Sequence, residues 1–204
     1  YMPQEKEFKW DASSRGAFVR FVHVLRKTAA EISAPRDLSI TDRYLDNAQG
    51  FFSSQKIALR IRRQGNKYEA TFKTRTALQN GLACRREVTK PLPNVRSFAA
   101  ARRALEHEHS WEGLALAGLR VRFTLRNRRR IYRVRYGAAQ CEAALDRYVI
   151  DVSGKRLARR EIELELKNGP EKDFMALVRV VSELSGLPPV RLSKVASAEK
   201  LLHS

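Results

Sequence analysis

The sequence predicts an α+β fold built mainly on an antiparallel sheet. Several segments alternate apolar and polar residues with the two-residue period of a β-strand, and short turn signals separate them. Fewer segments show the 3.6-residue period of an amphipathic helix. No Gly-rich phosphate loop is present, so a P-loop fold and a dinucleotide-binding fold are not expected. The order strand, helix, strands, helix, strands, helix is typical of the α+β class.

The strands are predicted from alternation and from turn residues. Residues 57–73 form a β-hairpin in this interpretation, because two alternating runs flank the turn residues Gln64-Gly65-Asn66. The Arg-rich stretch 120–136 predicts two strands that turn near Asn127. The remaining predicted strands lie at residues 4–10, 40–46, 83–90, 139–150 and 159–167.

The helices are predicted from apolar spacing and from breakers. The first follows N-cap residues at 11–14 and continues to about Ile32, before Pro35. The others are expected at residues 97–107, at 174–184 and after Ser193.

Composition places limits on the class of protein. The chain has 204 residues, of which 43% are hydrophobic, so we expect one globular domain over residues 1–204. The two cysteines do not form a disulfide framework, which favours a reduced, cytoplasmic protein. No apolar run approaches about 20 residues, so a transmembrane helix is not expected. The net charge of +18 indicates a polyanionic partner, and nucleic acid, a phosphate-rich small molecule and an acidic membrane surface all fit this charge.

Charged residues are sorted by sign along the predicted strands. Alternation places Glu5, Glu7 and Lys9 on one face of the first strand. For a single strand, a solvated face is the simpler interpretation. Like charges that face each other across strands are unfavourable, however, so separation by sign favours a cavity with an acidic and a basic wall. The other sorted positions are Arg60, Arg62, Lys73, Glu142, Asp146, Glu161, Glu163 and Glu165.

Such a cavity suits a metal–polyphosphate complex. Mg²⁺ and Mn²⁺ prefer oxygen ligands such as carboxylates and also bind phosphate oxygens. Arginine and lysine on the opposite wall would hold the remaining phosphate charge, arginine with two donors at once.

The motifs that carry these charges resemble the CYTH domains, also called triphosphate tunnel metalloenzymes, and among them most closely the bacterial inorganic triphosphatases. The resemblance runs from about residue 4 to residue 202, with the motifs in family order. One departure is Tyr44-Leu45-Asp46-Asn47-Ala48-Gln49, where the family often has a second acid. The motifs are Glu5-Lys6-Glu7-Phe8-Lys9, Arg60-Ile61-Arg62, Lys73, Arg85-Arg86-Glu87, Glu142 to Asp146, the EIELEL run at 161–166, and Ser193-Lys194.

The resemblance implies an eight-stranded antiparallel β-barrel, a tunnel with a charged lumen and helices packed outside. It implies hydrolysis of tripolyphosphate to pyrophosphate and phosphate with Mg²⁺ or Mn²⁺. The implied catalytic residues are Glu5, Glu7, Lys9 and Asp146, and the implied metal ligands are Glu5, Glu7, Asp146, Glu163 and Glu165. The implied phosphate ligands are Lys9, Arg60, Arg62, Lys73, Arg85, Arg129 and Lys194, with Arg128 or Arg130 as alternatives to Arg129.

Three other functions fit the same residues. An adenylate cyclase of the tunnel class and a thiamine triphosphatase would use the same metal and triphosphate site. A module that binds polyphosphate or RNA without turnover is expected to have a damaged acid cluster, whereas Glu5, Glu7, Glu163 and Glu165 are all present. We therefore expect a small-molecule triphosphate or polyphosphate as partner, rather than nucleic acid or a membrane. We also expect a monomer or homodimer.

Overall fold

The computed structural model describes residues 4–74, 80–107 and 116–203, apart from the side chains of residue 4 and residues 84–86. The strands are β1 (Gln4–Asp11), β2 (Glu31–Ile32), β3 (Arg36–Asp46), β4 (Ile57–Gln64), β5 (Lys67–Thr74), β6 (Leu82–Leu92), β7 (Arg120–Tyr136), β8 (Ala139–Val152) and β9 (Lys155–Asn168). The helices are α1 (Ala17–Thr28), α2 (Phe51–Ser54), α3 (Phe98–Glu106), α4 (Glu171–Ser185) and α5 (Lys194–His203).

The eight long strands close into a barrel. They follow the order β7-β3-β4-β5-β6-β1-β9-β8, and β7 pairs again with β8, which completes the ring. Every strand pair is antiparallel. The two-residue β2 extends the sheet beside β7. The predicted α+β class and the eight-stranded antiparallel barrel are confirmed.

The strand register decides which charged residues become neighbours. On β1 and β9, Glu7 lies opposite Glu165 and Lys9 lies opposite Glu163. Because side chains alternate across a strand, each strand sends every second side chain toward the barrel axis. The acidic strands β1 and β9 are neighbours in the sheet. Only β8 separates β9 from the Arg-rich β7.

Apolar side chains form three clusters, of which two lie on the outside of the barrel and the third packs inside it against α5. The largest packs α1 and α4 against the sheet and contains Trp10, Phe21 and Phe174, each fully buried. The Trp10 indole also donates a hydrogen bond of 2.9 Å to the Ser182 hydroxyl on α4. Burial of each large apolar side chain contributes roughly 1.5–3 kcal/mol to folding. None of the helices in the described ranges is long and apolar enough to cross a membrane.

Three predictions about elements are wrong. Residues 120–136 form one strand rather than two, because Asn127 pairs with both Ile40 and Tyr148 inside the sheet. The first helix ends at Thr28, and Ile32 lies in β2. The predicted N-cap at 11–14 is also wrong, since the helix begins after Gly16, which adopts a left-handed conformation with φ of 74°.

Candidate active site

The barrel encloses a cavity of about 900 Å³ with a charged lining. Among the described lining residues the two signs are nearly balanced, with eight carboxylates and nine cationic side chains. The carboxylates are Glu5, Glu7, Asp42, Glu69, Glu87, Glu142, Glu163 and Glu165. The cations are Lys9, Lys56, Arg60, Arg62, Lys73, Arg129, Lys167, Arg191 and Lys194.

Most of the residues predicted for the site line this cavity. Arg129 does so, whereas Arg128 and Arg130 are exposed on the outer face. Asp146 lies beneath the lining and is fully buried. The side chain of Arg85 lies outside the described part of the structure, although its backbone pairs with Glu5. The predicted residues that line the cavity are Glu5, Glu7, Lys9, Arg60, Arg62, Lys73, Arg129, Glu163, Glu165 and Lys194.

Glu163 is the centre of the ion-pair network on the acidic wall. The ammonium groups of Lys9 and Lys194 and the guanidinium of Arg129 all contact its carboxylate. Burial acts to raise the pKa of Glu163, but Lys194, Lys9 and Arg129 outweigh it and hold the pKa well below its usual range. Lys9 also lies 3.1 Å from the Glu7 carboxylate. Glu163 is therefore an ionised carboxylate that gathers three cations at one point.

Asp146 holds two of those cations from below. Arg129 donates to its carboxylate from Nε at 2.7 Å and from Nη2 at 2.6 Å, and the Lys194 ammonium donates at 2.7 Å. Burial acts to raise the pKa of Asp146, but Lys194 and Arg129 lower it. The same carboxylates, Asp146 foremost, raise the pKa of Lys194 against the opposing effect of its burial. Asp146 thus fixes the direction of two cations at the cavity wall.

On the basic wall, Asp42 holds an arginine through two hydrogen bonds, as Asp146 does for Arg129. Arg62 donates to it from Nε at 2.8 Å and from Nη2 at 2.9 Å, and Arg60 lies 3.6 Å away. Burial acts to raise the pKa of Asp42, but the two arginines lower it to about 2. Asp42 is a site residue that was not predicted from the sequence. The available signal was its alternation with Tyr44 on the strand before the Arg60-x-Arg62 hairpin.

A second carboxylate, Glu87, lies within the basic wall. Lys73 contacts it and lies 3.4 Å from the Glu5 carboxylate, so this lysine joins the basic and acidic walls. Burial acts to raise the pKa of Glu87, but Lys73 and Arg60 lower it to about 2. Arg60 also donates to the Thr71 hydroxyl at 3.2 Å. The two walls are therefore linked by ion pairs.

The glutamates of β1 and β9 include the carboxylates that suit a hard cation best. Burial raises the pKa of Glu165, and repulsion from Glu5 and Glu7 adds to the rise, while Lys167 opposes it. A divalent cation would relieve that repulsion, and carboxylate oxygens are its preferred ligands. Within the described residues, no three His, Cys, Asp or Glu side chains already stand at metal-binding distances. The donor set fits Mg²⁺ or Mn²⁺ in chemical type.

Two further acids near the site have other partners. Glu161 is buried beside the cavity, where it accepts a hydrogen bond from Tyr148, and burial raises its pKa. Asp46, from the stretch that departs from the family pattern, accepts hydrogen bonds from the backbone of Phe52 and Ser53 at the start of α2. The Asp46 carboxylate therefore supports the loop rather than the cavity.

The barrel, its cavity of opposed acids and bases, and a sequence match together define the class of protein. Residues 4–197 match the model of the CYTH domain, and the chain belongs to this family.

Individual relatives are more distant. The chain is 27% identical over 146 residues to the inorganic triphosphatase of Haemophilus influenzae, a match that covers 72% of this chain and 41% of the relative. The matched part thus spans less than half of that relative's length.

Solved structures share the fold. A Hippeastrum protein described as having a dominant triphosphatase activity has a TM-score of 0.66 at 20% identity, over 96% of this chain and 95% of its own. A Pyrococcus horikoshii protein has a TM-score of 0.63 at 20% identity, over 96% and 98% of the two chains.

Proposed function

We propose that this chain hydrolyses inorganic tripolyphosphate to pyrophosphate and phosphate inside the barrel, with Mg²⁺ or Mn²⁺ as cofactor. The observation that carries the proposal is the convergence of cations from β4, β5, β7 and α5 on one cavity that the glutamates of β1 and β9 also line. The Haemophilus influenzae relative, an inorganic triphosphatase, supports the same reaction.

The arginines of the cavity are positioned for phosphate before any substrate arrives. Asp42 holds Arg62 and Asp146 holds Arg129, each through two hydrogen bonds. A guanidinium fixed in this way presents its remaining donors in one plane, which matches the spacing of phosphate oxygens. Because the orientation is set by the fold, less conformational entropy is lost when the triphosphate binds.

Glu5, Glu7 and Glu165 are the residues that we assign first to the divalent cation. Glu163 and Asp146 complete the proposed set of ligands, although each already contacts at least two cations. When bound, Mg²⁺ or Mn²⁺ would neutralise phosphate charge and lower the pKa of the attacking water.

Lys9, Arg129 and Lys194 are the residues that we assign to charge stabilisation during the reaction. All three contact Glu163, so their positive charges lie within one small region of the wall. Negative charge grows on the leaving pyrophosphate as the P–O bond breaks. Donors already aimed at that position lower the barrier because they need not reorganise.

The test is phosphate release from tripolyphosphate, ATP and thiamine triphosphate, measured side by side with Mg²⁺ and then with Mn²⁺. We expect the highest kcat/KM for tripolyphosphate and complete loss of activity in EDTA. Formation of cyclic AMP from ATP, or faster turnover of thiamine triphosphate, would replace the proposal with one of those activities. Binding without turnover of any substrate would identify a binding module, and activity that survives EDTA would contradict the metal requirement.

A further inference from the structure

The excess positive charge of the chain is not explained by the cavity. The described lining is nearly neutral, whereas the whole chain carries a net charge of +18. On the outer face of the barrel, Arg128 lies directly opposite Arg147, and Arg147 lies directly opposite Arg160. All three are exposed. Like charges in register across strands are destabilising, so this row needs an explanation outside the barrel.

A groove of about 740 Å³ adjoins this row, between α1 and the outer face of β3, β7 and β8. Its floor is apolar and includes Phe18, Val22 and Leu145. Its rim is basic and includes Arg26, Arg128 and Arg147.

The arginines of the groove outnumber its one described carboxylate, Asp37, which also attracts Arg147 through space. Within the described part of the chain, Arg26, Arg128 and Arg147 form no ion pair with a carboxylate. Arg130, at the edge of the groove, is different because Asp37 holds it through two hydrogen bonds of 2.7 and 2.8 Å. The guanidinium of Arg147 lies 5.0 Å above the ring of Phe18. The basic rim and the apolar floor are therefore in direct contact.

Helix α1 has a second apolar face that the barrel covers only in part. Phe21 and Leu25 are fully buried against the sheet. Phe18 and Val22, one turn apart, are only half-buried in the groove, and Val19 is 74% exposed. An apolar face beside unpaired arginines is typical of a site for a partner rather than of a solvated surface.

We infer that this groove binds an acidic amphipathic helix of a partner protein. Apolar residues at positions i, i+4 and i+7 of the partner would lie on Phe18, Val19 and Val22, and carboxylates beside them would reach the rim arginines. The part of α1 from Phe18 to Arg26 is roughly 12 Å long, at 1.5 Å per residue. This length accommodates about two turns of such a helix.

The groove fits other polyanions less well. Single-stranded nucleic acid needs free aromatic faces, but Arg147 covers the Phe18 ring and Tyr132 is only 5% exposed. An inorganic phosphate chain would contact the rim and leave the apolar floor wet. A lipid bilayer is flat and would not fill a concave groove.

The test is selection of peptides of about 15 residues from a random displayed library against the wild-type protein. Counter-selection uses Arg128→Glu/Arg147→Glu, which removes the basic rim. The matched control is Arg133→Glu/Arg159→Glu, which lowers the net charge equally on exposed strand residues outside the groove. Binding of the enriched peptides is then measured by fluorescence anisotropy, and thermal unfolding checks that every variant is folded.

We expect enriched peptides with carboxylates flanking an i, i+4, i+7 apolar stripe. Their Kd should rise about tenfold or more in Arg128→Glu/Arg147→Glu and in Val19→Asp, equivalent to at least about 1.4 kcal/mol, and less than about threefold in the control. Equal weakening in the rim and control variants would show general attraction to a basic surface and overturn the inference. Enrichment of peptides without an apolar stripe, no enrichment at all, or equal competition by oligouridylate or polyphosphate would also overturn it.

Discussion

Asp42 and Asp146 act at the residue scale as anchors for the arginines of the cavity. Each is almost completely buried, and each holds one guanidinium with two hydrogen bonds. A buried charge is expensive unless it is paired, so anchor and arginine depend on each other. The fold therefore sets the positions of Arg62 and Arg129 through carboxylates that lie behind them.

Replacement of Asp42 tests this dependence. Asp42→Asn removes the carboxylate that holds Arg62 and leaves Arg60 with Glu87 at 3.9 Å, and we expect the free energy of unfolding to fall by about 3 kcal/mol. The control is Asp37→Asn, which removes an exposed partner of Arg130 and should change stability little. Urea denaturation measures both variants, and equal small losses would contradict the anchoring role.

The lowered pKa of Glu87 predicts a loss of stability in acid. Its pKa falls from 4.5 to about 2 on folding, so its contribution is present above pH 4.5 and is lost as the pH falls toward 2. The free energy of unfolding should therefore decrease across that window. In Glu87→Gln we expect the decrease between pH 5 and pH 3 to be smaller by about 1 kcal/mol. An unchanged pH dependence in the variant would show that the cationic neighbours do not lower the pKa of Glu87.

At the scale of elements, the sequence predicted most strands because alternation and turn residues agree. The hairpin of β4 and β5 forms as expected around Gly65-Asn66. The prediction of two strands at 120–136 is wrong because asparagine is common in turns, whereas Asn127 is buried within the single strand β7. Local propensity could not show that two neighbouring strands pair with it there.

The site was predictable only in part, for a related reason. Motifs with both charges on one strand, such as Glu5-x-Glu7-x-Lys9, could be found by period alone. Asp42 has no acidic or basic neighbour two residues away, and it meets Arg62 only through the β3–β4 register. The burial of Asp146 beneath Arg129 likewise follows from the pairing of β7 with β8.

Gly81 tests the junction between β6 and β1. Its carbonyl accepts the backbone N–H of Lys9 at 2.9 Å, its φ is +87°, and an added Cβ would lie 2.8 Å from the Lys9 carbonyl oxygen. We expect Gly81→Ala to lower the free energy of unfolding by about 3 kcal/mol and to reduce turnover by shifting Lys9.

The control for Gly81 is Gly65→Ala in the β4–β5 turn. Gly65 has a φ of +61° and open space around an added Cβ, so only about 1 kcal/mol of backbone strain is expected. Equal urea midpoints for the two variants would show that close packing around Gly81 does not contribute to the loss of stability.

At the scale of the whole molecule, the closed barrel separates two charged environments. The cavity holds nearly equal numbers of acids and bases among its described residues, whereas exposed arginines line up on the outer face of β7, β8 and β9. A small triphosphate and a protein partner would therefore bind on opposite sides of the same strands.

Thermal unfolding tests whether a phosphate ligand binds in the cavity or on the outer face of the barrel. A ligand that binds only the folded state at 100 times its Kd stabilises by about 2.7 kcal/mol, so tripolyphosphate should raise Tm by roughly 5–10 °C. Arg62→Gln in the cavity should abolish most of the shift, and Arg128→Gln on the outer face should preserve it. An equal loss in both variants would place the ligand on the surface instead.

The central claim is that the cavity of the barrel hydrolyses tripolyphosphate through its glutamates. Glu5→Gln is the most suitable variant for this test. Glu163 contacts three cations, so its replacement would also disturb the fold. Glu5 lies 3.4 Å from Lys73, away from the centre of that network. The most direct measurement is the rate of phosphate release from tripolyphosphate by wild type and Glu5→Gln, in Mg²⁺ and in Mn²⁺. We predict metal-dependent turnover by the wild type and a loss of at least about 100-fold in kcat for a variant that unfolds at the same temperature. Wild-type rates in Glu5→Gln would contradict the claim.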